Sequence, residues 1–262
     1  MARRALGRLL PAAAMLTAMM TGVTGGKAQP PVVANHNATY DFYLGGIWAG
    51  EITIDANFGS NLDGGGTYRA GVTASTAGIV GFFLKAGVEA EAVGRIGAAG
   101  LSPVRFTADA YEPRRRWLVE IAYANGSPAS VVAEPAYRLR PWSISARDQR
   151  GIADPLSAAL EALVPAAADE ICSQTADIFD GERRWAIEIG PPRHEGGDGG
   201  GGDRIRCDAV YVRIAGFKPK LMGKRARRPF ALFFEDRGDG LFHVVRAAGK
   251  TSFGLAVLLL RE

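Results

Sequence analysis

The 262-residue chain is 47% hydrophobic and 22% charged, the balance of a folded globular protein, which excludes the collagen-like and intrinsically disordered classes. Its formal charge of +4 resides in the leading segment: Arg3, Arg4, Arg8 and Lys27 fall in a first 28 residues without Asp or Glu, leaving 27 basic against 27 acidic residues. A chain neutral beyond that point carries no electrostatic footprint for nucleic acid.

At the N-terminus, three arginines precede an apolar stretch from Leu9 to Val23, and Gly26-Lys27-Ala28 places small residues at the two positions a signal peptidase reads. This layout predicts a secretory signal over residues 1–28, cleaved after Ala28, with Gln29 as the mature N-terminus and the periplasm as the destination. The alternative is a transmembrane anchor, but about 15 apolar residues fall short of the roughly 20 that span a bilayer, so no anchor is expected after cleavage. No lipobox cysteine follows, and Arg3-Arg4 leaves general secretion and twin-arginine export both open. Residues 29–37 are expected to be a flexible N-terminal segment.

From residue 38 the dominant period is two. Tyr40, Phe42 and Leu44 form one apolar face, and Ile52, Ile54, Ala56 and Phe58 another, with Gly45-Gly46 between them as a hairpin turn. Tyr68, Ala70, Val72 and Ala74 form the next face, after Gly64-Gly65-Gly66. Trp117, Val119, Ile121 and Tyr123 alternate before Asn125-Gly126. Asp180-Gly181 separates Thr175 to Phe179 from Arg184 to Ile189, and Asp239-Gly240 separates Phe230 to Glu235 from Leu241 to Ala247. About a dozen strands joined by short turns must run antiparallel.

Helix signals are few. Asp154 is a good N-cap, Pro155 suits the first helical position, and Leu156, Leu160 and Leu163 share a face, which predicts a helix over Asp154 to Leu163. A short helix or turn is expected over Ala77 to Leu84. The expected fold is therefore mainly β: one strongly curved antiparallel sheet or incomplete barrel around one or two short helices, in a single domain over residues 38–262. The run HEGGDGGGGD at 194–203 predicts a Gly-rich loop.

Cys172 and Cys207 are the only cysteines. An oxidising compartment favours joining them, and two thiols so far apart make neither a structural zinc site nor a Cys-x-x-Cys redox motif. Alternation through Ile205, Cys207, Ala209 and Tyr211 turns Cys207 toward the apolar face, where a disulfide is structural and protected.

Matches to phosphate-binding motifs fail on context. Gly249-Lys250-Thr251 resembles the end of a P-loop, but Val244 stands where the first glycine belongs, and Gly197, Gly199 and Gly202 lead into strand alternation rather than a helix. The three histidines, His36, His194 and His243, belong to no metalloprotease or nucleophile-elbow motif. Glu89, Glu91, Asp109 and Glu112 have no signature of a paired-carboxylate site. No catalytic residue, metal site or cofactor is expected.

Two surface features remain. Lys218, Lys220, Lys224, Arg225, Arg227 and Arg228 place six cations in eleven residues, a candidate contact for anionic lipid, or a solvated loop partly neutralised by Glu235 and Asp236. Arg114, Arg115 and Arg116 pose the same choice. Trp48, Phe82, Phe83, Trp117 and Trp142 are candidates to line an apolar groove inside the curved sheet, or to fill its core.

Taken together, Tyr40 with Gly45-Gly46-Ile47 and Gly50, Asp154-Pro155-Leu156-Ser157, Cys172, Phe179-Asp180-Gly181 with Arg183-Arg184, and Cys207 with Tyr211 and Gly216-Phe217 resemble the bacterial domain of unknown function 3108 family over roughly residues 38 to 260. The resemblance implies an exported, mostly antiparallel β envelope protein with no established enzymatic activity. The predicted shape is also similar to the half-barrels of periplasmic lipoprotein carriers, an analogy of form alone. The expected function is a non-enzymatic binding or scaffolding module of the cell envelope, holding a lipid, an acyl chain or a protein segment in a concave β surface. The alternative is a periplasmic hydrolase acting on cell-wall or lipid substrates.

Overall fold

Alternation of apolar and polar side chains makes strands that must each bury one face. The computed structural model, which describes residues 35–60, 65–97, 100–195 and 204–261, gathers 13 such strands into one antiparallel sheet. The first arm is a meander of β1 (Asn35–Leu44), β2 (Ile47–Ser60), β3 (Gly66–Thr76), β4 (Gly87–Gly97), β5 (Gly100–Glu112), β6 (Arg115–Ala124) and β7 (Ser127–Glu134). The second runs through β8 (Thr175–Phe179), β9 (Arg184–Glu195), β10 (Arg204–Ala215), β11 (Arg227–Asp236), β12 (Phe242–Thr251) and β13 (Gly254–Leu260).

Pairing of β1 with β13, from Tyr40 opposite Leu260 to Leu44 opposite Ala256, joins the two arms at the centre of the sheet. The outer edges are β7 and β8, which do not pair with each other. The sheet is curled and unclosed, and the chain between its edges runs mostly exposed to residue 151 before it enters the interior with α2 (Pro155–Leu163). A second helix, α1 (Gly78–Phe83), lies between β3 and β4.

α2 packs on β3, β4 and β5 of one arm and on β8 of the other. Its start is fixed as the sequence predicts: the Asp154 carboxylate accepts from the backbone N–H groups of Leu156 (3.0 Å) and Ser157 (2.8 Å), and from the Ser157 hydroxyl (2.5 Å). With that proton committed to Asp154, Tyr68 of β3 donates to Ser157 Oγ across 2.5 Å. Asp154 is fully buried, and burial pushes its carboxyl above the ordinary range against the pull of these donors. At the other end of the helix, Glu161 accepts from the backbone N–H of Leu101 at the start of β5.

Cys172 and Cys207 form a disulfide with Cα atoms 5.8 Å apart, and both are buried. Ile205, Cys207 and Ala209 share the buried face of β10, as alternation requires. The bond ties the end of the crossover to the second arm. Cys172 and Ser173 both adopt positive φ, so the chain turns sharply there before entering β8.

Two expectations change at the boundaries. Residues 35–37, assigned from sequence to a flexible segment, instead begin β1, because they pair with Asp55, Ala56 and Asn57 of β2. His194 and Glu195, expected to open the Gly-rich loop, extend β9 opposite Ile205 and Arg204. The glycine tract at 196–203 and the leading residues 1–34 lie outside the described residues.

Asp154→Ala removes the cap and leaves the Ser157 hydroxyl without its acceptor, and urea unfolding should show a loss of about 1–3 kcal/mol, with Asp154→Asn retaining most of it. Replacing both cysteines by serine should lower stability by about 3–4 kcal/mol on the chain-entropy account of a loop of this length, with the same far-UV dichroism.

Candidate functional site

Curling brings the apolar faces of both arms toward each other, but small side chains keep them from meeting. Ala90 and Ala108 face each other on β4 and β5, and Ala158, Ala159 and Ala162 line the adjoining side of α2. The result is a cavity of about 1450 Å³, walled by Ile52, Val72 and Val88 from one arm and Ile187, Leu232 and Leu258 from the other. Tyr68, Ile121, Phe179, Ile205 and Phe234 belong to the buried core and do not line the cavity, which α2 borders with Leu156, Ala158, Ala159 and Ala162. The helix is thus one wall of the cavity.

The mouth is polar and mostly basic. It opens at the end of the sheet where β5 turns into β6, and is rimmed by Arg114, Arg115, Arg116, Arg138, Arg140 and Arg183, with Glu112, Asp180 and Glu182. Arg116 pairs with Asp109 through Nε at 2.8 Å and through Nη2, and Arg183 with Glu182 at 2.9 Å. The Arg116 guanidinium holds the Asp109 carboxyl below the usual range. Arg114, Arg115, Arg138 and Arg140 are exposed and have no ion-pair partner among the described residues.

Of the five aromatics expected in the groove, Trp117 lines it and the others do not. A β-bulge explains Trp48. Phe42 pairs with Gly50 but Tyr43 with Trp48, so Ala49 is an extra residue and the parity of β2 reverses before it. Trp48 therefore points to the outer face and donates from Nε1 to Asp41 at 3.0 Å. Phe82 and Phe83 sit on α1, 84% and 77% exposed, and Trp142 is half-buried in the crossover.

The basic run is also placed differently from the reading in which acidic neighbours partly neutralise it. Lys218, Lys220, Lys224 and Arg225 occupy the loop between β10 and β11, all exposed and unpaired among the described residues. Arg227 begins β11 and pairs with Glu188, and Arg228 follows it in the strand, exposed. Glu235 lies eight residues along an extended strand, about 26 Å away. It is held by Arg204, and Asp236 accepts from the backbone of Gly238 and Gly240.

Glu89 and Glu91 alternate with the cavity-lining Val88 and Ala90, so they face outward, where Glu91 pairs with Arg69 at 3.2 Å. Glu112 alone of the four candidate carboxylates reaches the cavity, at its rim. No group of three or more His, Cys, Asp or Glu side chains among the described residues is arranged to hold a metal ion.

Sequence reasoning missed one convergence. β13 ends level with Tyr40, so the first residues of β1 and of β12 flank a notch at the end of the sheet remote from α1. A cavity of about 490 Å³ lies there, lined by His36, Asp239 and His243. His243 Nε2 lies 2.9 Å from Asp239 Oδ2, and buried His36 leaves its Nε2 without a partner among the described residues. Burial, then the neighbouring His243, lowers the pKa of His36. Of the hydroxyls lining this cavity, Thr39 bonds Thr53 Oγ1 and Tyr40 donates to the Val244 carbonyl; burial pushes the Tyr40 phenol up to about 12.

Residues 39–260 match the family described as Protein of unknown function (DUF3108). The chain belongs to the DUF3108 family. No curated protein matches this DUF3108 chain. Among solved structures it is similar to the crystal structure of a beta-barrel-like protein of domain of unknown function DUF1849 from Brucella abortus, at 12% identity and TM-score 0.42, over 87% of this chain and 96% of that one.

His36 supplies a pH test. Its folded pKa lies below the ordinary value near 6.5, so the unfolded chain binds the proton more tightly and stability falls as pH drops below 6.5 toward the folded value. Denaturation midpoints measured from pH 7.5 to 5 should therefore decline, and His36→Phe should flatten the part of that decline that begins near pH 6.5.

Proposed function

We propose that this protein is an exported, non-enzymatic binding module that holds the apolar part of an amphiphile, an acyl chain or lipid, inside its curled sheet. The observation that carries this reading is the cavity itself. At about 1450 Å³ it exceeds the few hundred to a thousand Å³ of typical small-ligand pockets, and its walls are apolar while four arginines at its mouth, Arg114, Arg115, Arg138 and Arg140, have no ion-pair partner among the described residues. Apolar walls favour chains of CH₂ groups at about 0.8 kcal/mol each, and guanidinium groups favour a carboxylate or phosphate head.

The buried disulfide accords with export to an oxidising compartment. No helix of the described residues is long and apolar enough to cross a membrane. A hydrolase reading would place the chemistry at His36, Asp239 and His243. The two hydroxyls of that cavity are already engaged, which favours the binding module.

Delipidated protein titrated with a fluorescent fatty acid should bind it saturably. Ala108→Trp projects an indole into the cavity and should weaken that binding at least about tenfold with little change in unfolding midpoint. Absence of saturable binding by the parent chain would remove this reading.

A further inference from the structure

We propose that the end of the sheet carrying α1 is a docking face for an anionic phospholipid bilayer. In a sheet whose arms are meanders, every second connection falls at the same end, so residues far apart in sequence share one rim. Pairing of Gly50 with Thr76, of Gly87 with Tyr111, and of Leu44 with Ala256 sets the β1–β2 turn, α1, the β5–β6 turn and the β12–β13 turn side by side. The loop between β10 and β11 lies at the same end of the second arm.

This rim displays large apolar side chains that nothing among the described residues covers. Phe82, Phe83 and Ile79 of α1 are 84%, 77% and 62% exposed, Phe253 at the β12–β13 turn is 76%, and Ile47 beside the β1–β2 turn is 54%. α1 buries none of its residues, so core packing does not account for its sequence. It is nonetheless held firmly: Thr76 Oγ1 donates to the Leu84 carbonyl at 2.6 Å, the Ala77 N–H donates to the Ala49 carbonyl, and Gly78 lies against the Trp48 ring. The β12–β13 turn is tied to the β1–β2 turn by the Gly45 N–H donating to the Leu255 carbonyl at 2.8 Å.

Cations surround these apolar tips. Lys85 follows α1, Arg114 and Arg115 form the next turn, and Lys218, Lys220 and Lys224 rise from the β10–β11 loop, all exposed and without ion-pair partners among the described residues. Aromatic side chains amid unpaired lysines and arginines match the two layers of an anionic membrane surface, which takes the rings at headgroup depth and the cations among the phosphates. The same rim bears the mouth of the large cavity, so a docked molecule would open it toward the lipid. The docking face rests on the rim residues alone, and it stands whether or not the cavity takes a ligand.

The test is flotation of the full-length protein with vesicles of phosphatidylcholine alone and with about one-third phosphatidylglycerol. Partition should be markedly stronger on the anionic vesicles and fall as salt rises. Against the parent chain, whose N-terminal segment is identical, Lys218→Gln/Lys220→Gln/Lys224→Gln should weaken it on the order of a hundredfold, from about 1 kcal/mol per lysine. Phe82→Ser/Phe83→Ser should weaken it at least about tenfold without lowering the unfolding midpoint, since neither ring is buried. In the bound parent chain, brominated lipid should quench more of the tryptophan emission than in Trp48→Phe, the difference being the share of Trp48, since Trp117 and Trp185 of the cavity lining answer to lipid inside it. Variants that partition like the parent, or a bound state in which Trp48 is not quenched, would overturn the proposal; no partition to either vesicle would overturn it too and leave the patch to a protein partner. Ala108→Trp should still float, which separates failure of docking from failure of cavity binding.

Discussion

A 13-stranded sheet has a large apolar face, and one nine-residue helix is what this chain places inside it. Much else follows from that mismatch. The sheet must curl so that its own two arms shield each other, and the part of the β7–β8 crossover from Ile152 through α2 must be drawn into the interior, while the residues before it stay on the surface. α2 is anchored there by buried polar groups that satisfy one another, from Asp154 through Ser157 to Tyr68. Each would be costly alone in an apolar interior, and together they fix the helix in register with β3. The disulfide pins the far end of the same crossover.

Because the helix is short and its exposed side is alanine, it fills part of the interior and leaves the rest hollow. The cavity is therefore a product of side-chain size along β4, β5 and α2 rather than of a separate loop or lid. An apolar guest would displace water from such walls and supply the contacts they lack. Under the proposed function, binding and folding would be linked, since a ligand that fills the space adds packing that the chain itself lacks.

Hairpin topology also sorts charge. A run whose six cations are partly offset by two carboxylates when counted along the sequence becomes segregated in space, because a ten-residue strand carries Arg227 and Arg228 at one end and Glu235 and Asp236 at the other. The acidic residues meet their own partners at the opposite end, and the lysines of the β10–β11 loop are left unpaired beside the arginine-rimmed mouth. Equal numbers of basic and acidic residues beyond residue 28 thus coexist with a strongly basic rim, which is the quantity a partner or a membrane senses.

The period-two alternation, the Gly-Gly and Asp-Gly turns and the Asp154-Pro155 helix start were legible in the sequence, since each is a local preference that tertiary packing reinforced. The disulfide was legible for a different reason: with two cysteines there is one pairing. Trp48 was misplaced because a single bulge at Ala49 reverses side-chain parity, and no alternation rule marks where a bulge falls. Phe82 and Phe83 were misplaced because composition does not tell a core aromatic from an exposed one. His36 was assigned to a flexible segment, yet the early end of β13 leaves it buried near His243, more than two hundred residues away. The sequence by itself determined strands, turns and the helix cap, which are set by neighbours in the chain, and the covalent link, which two cysteines can make in one way. Only the tertiary structure decided which faces met, where they failed to meet, and which charges shared a rim, because those depend on register and curl between strands remote in sequence.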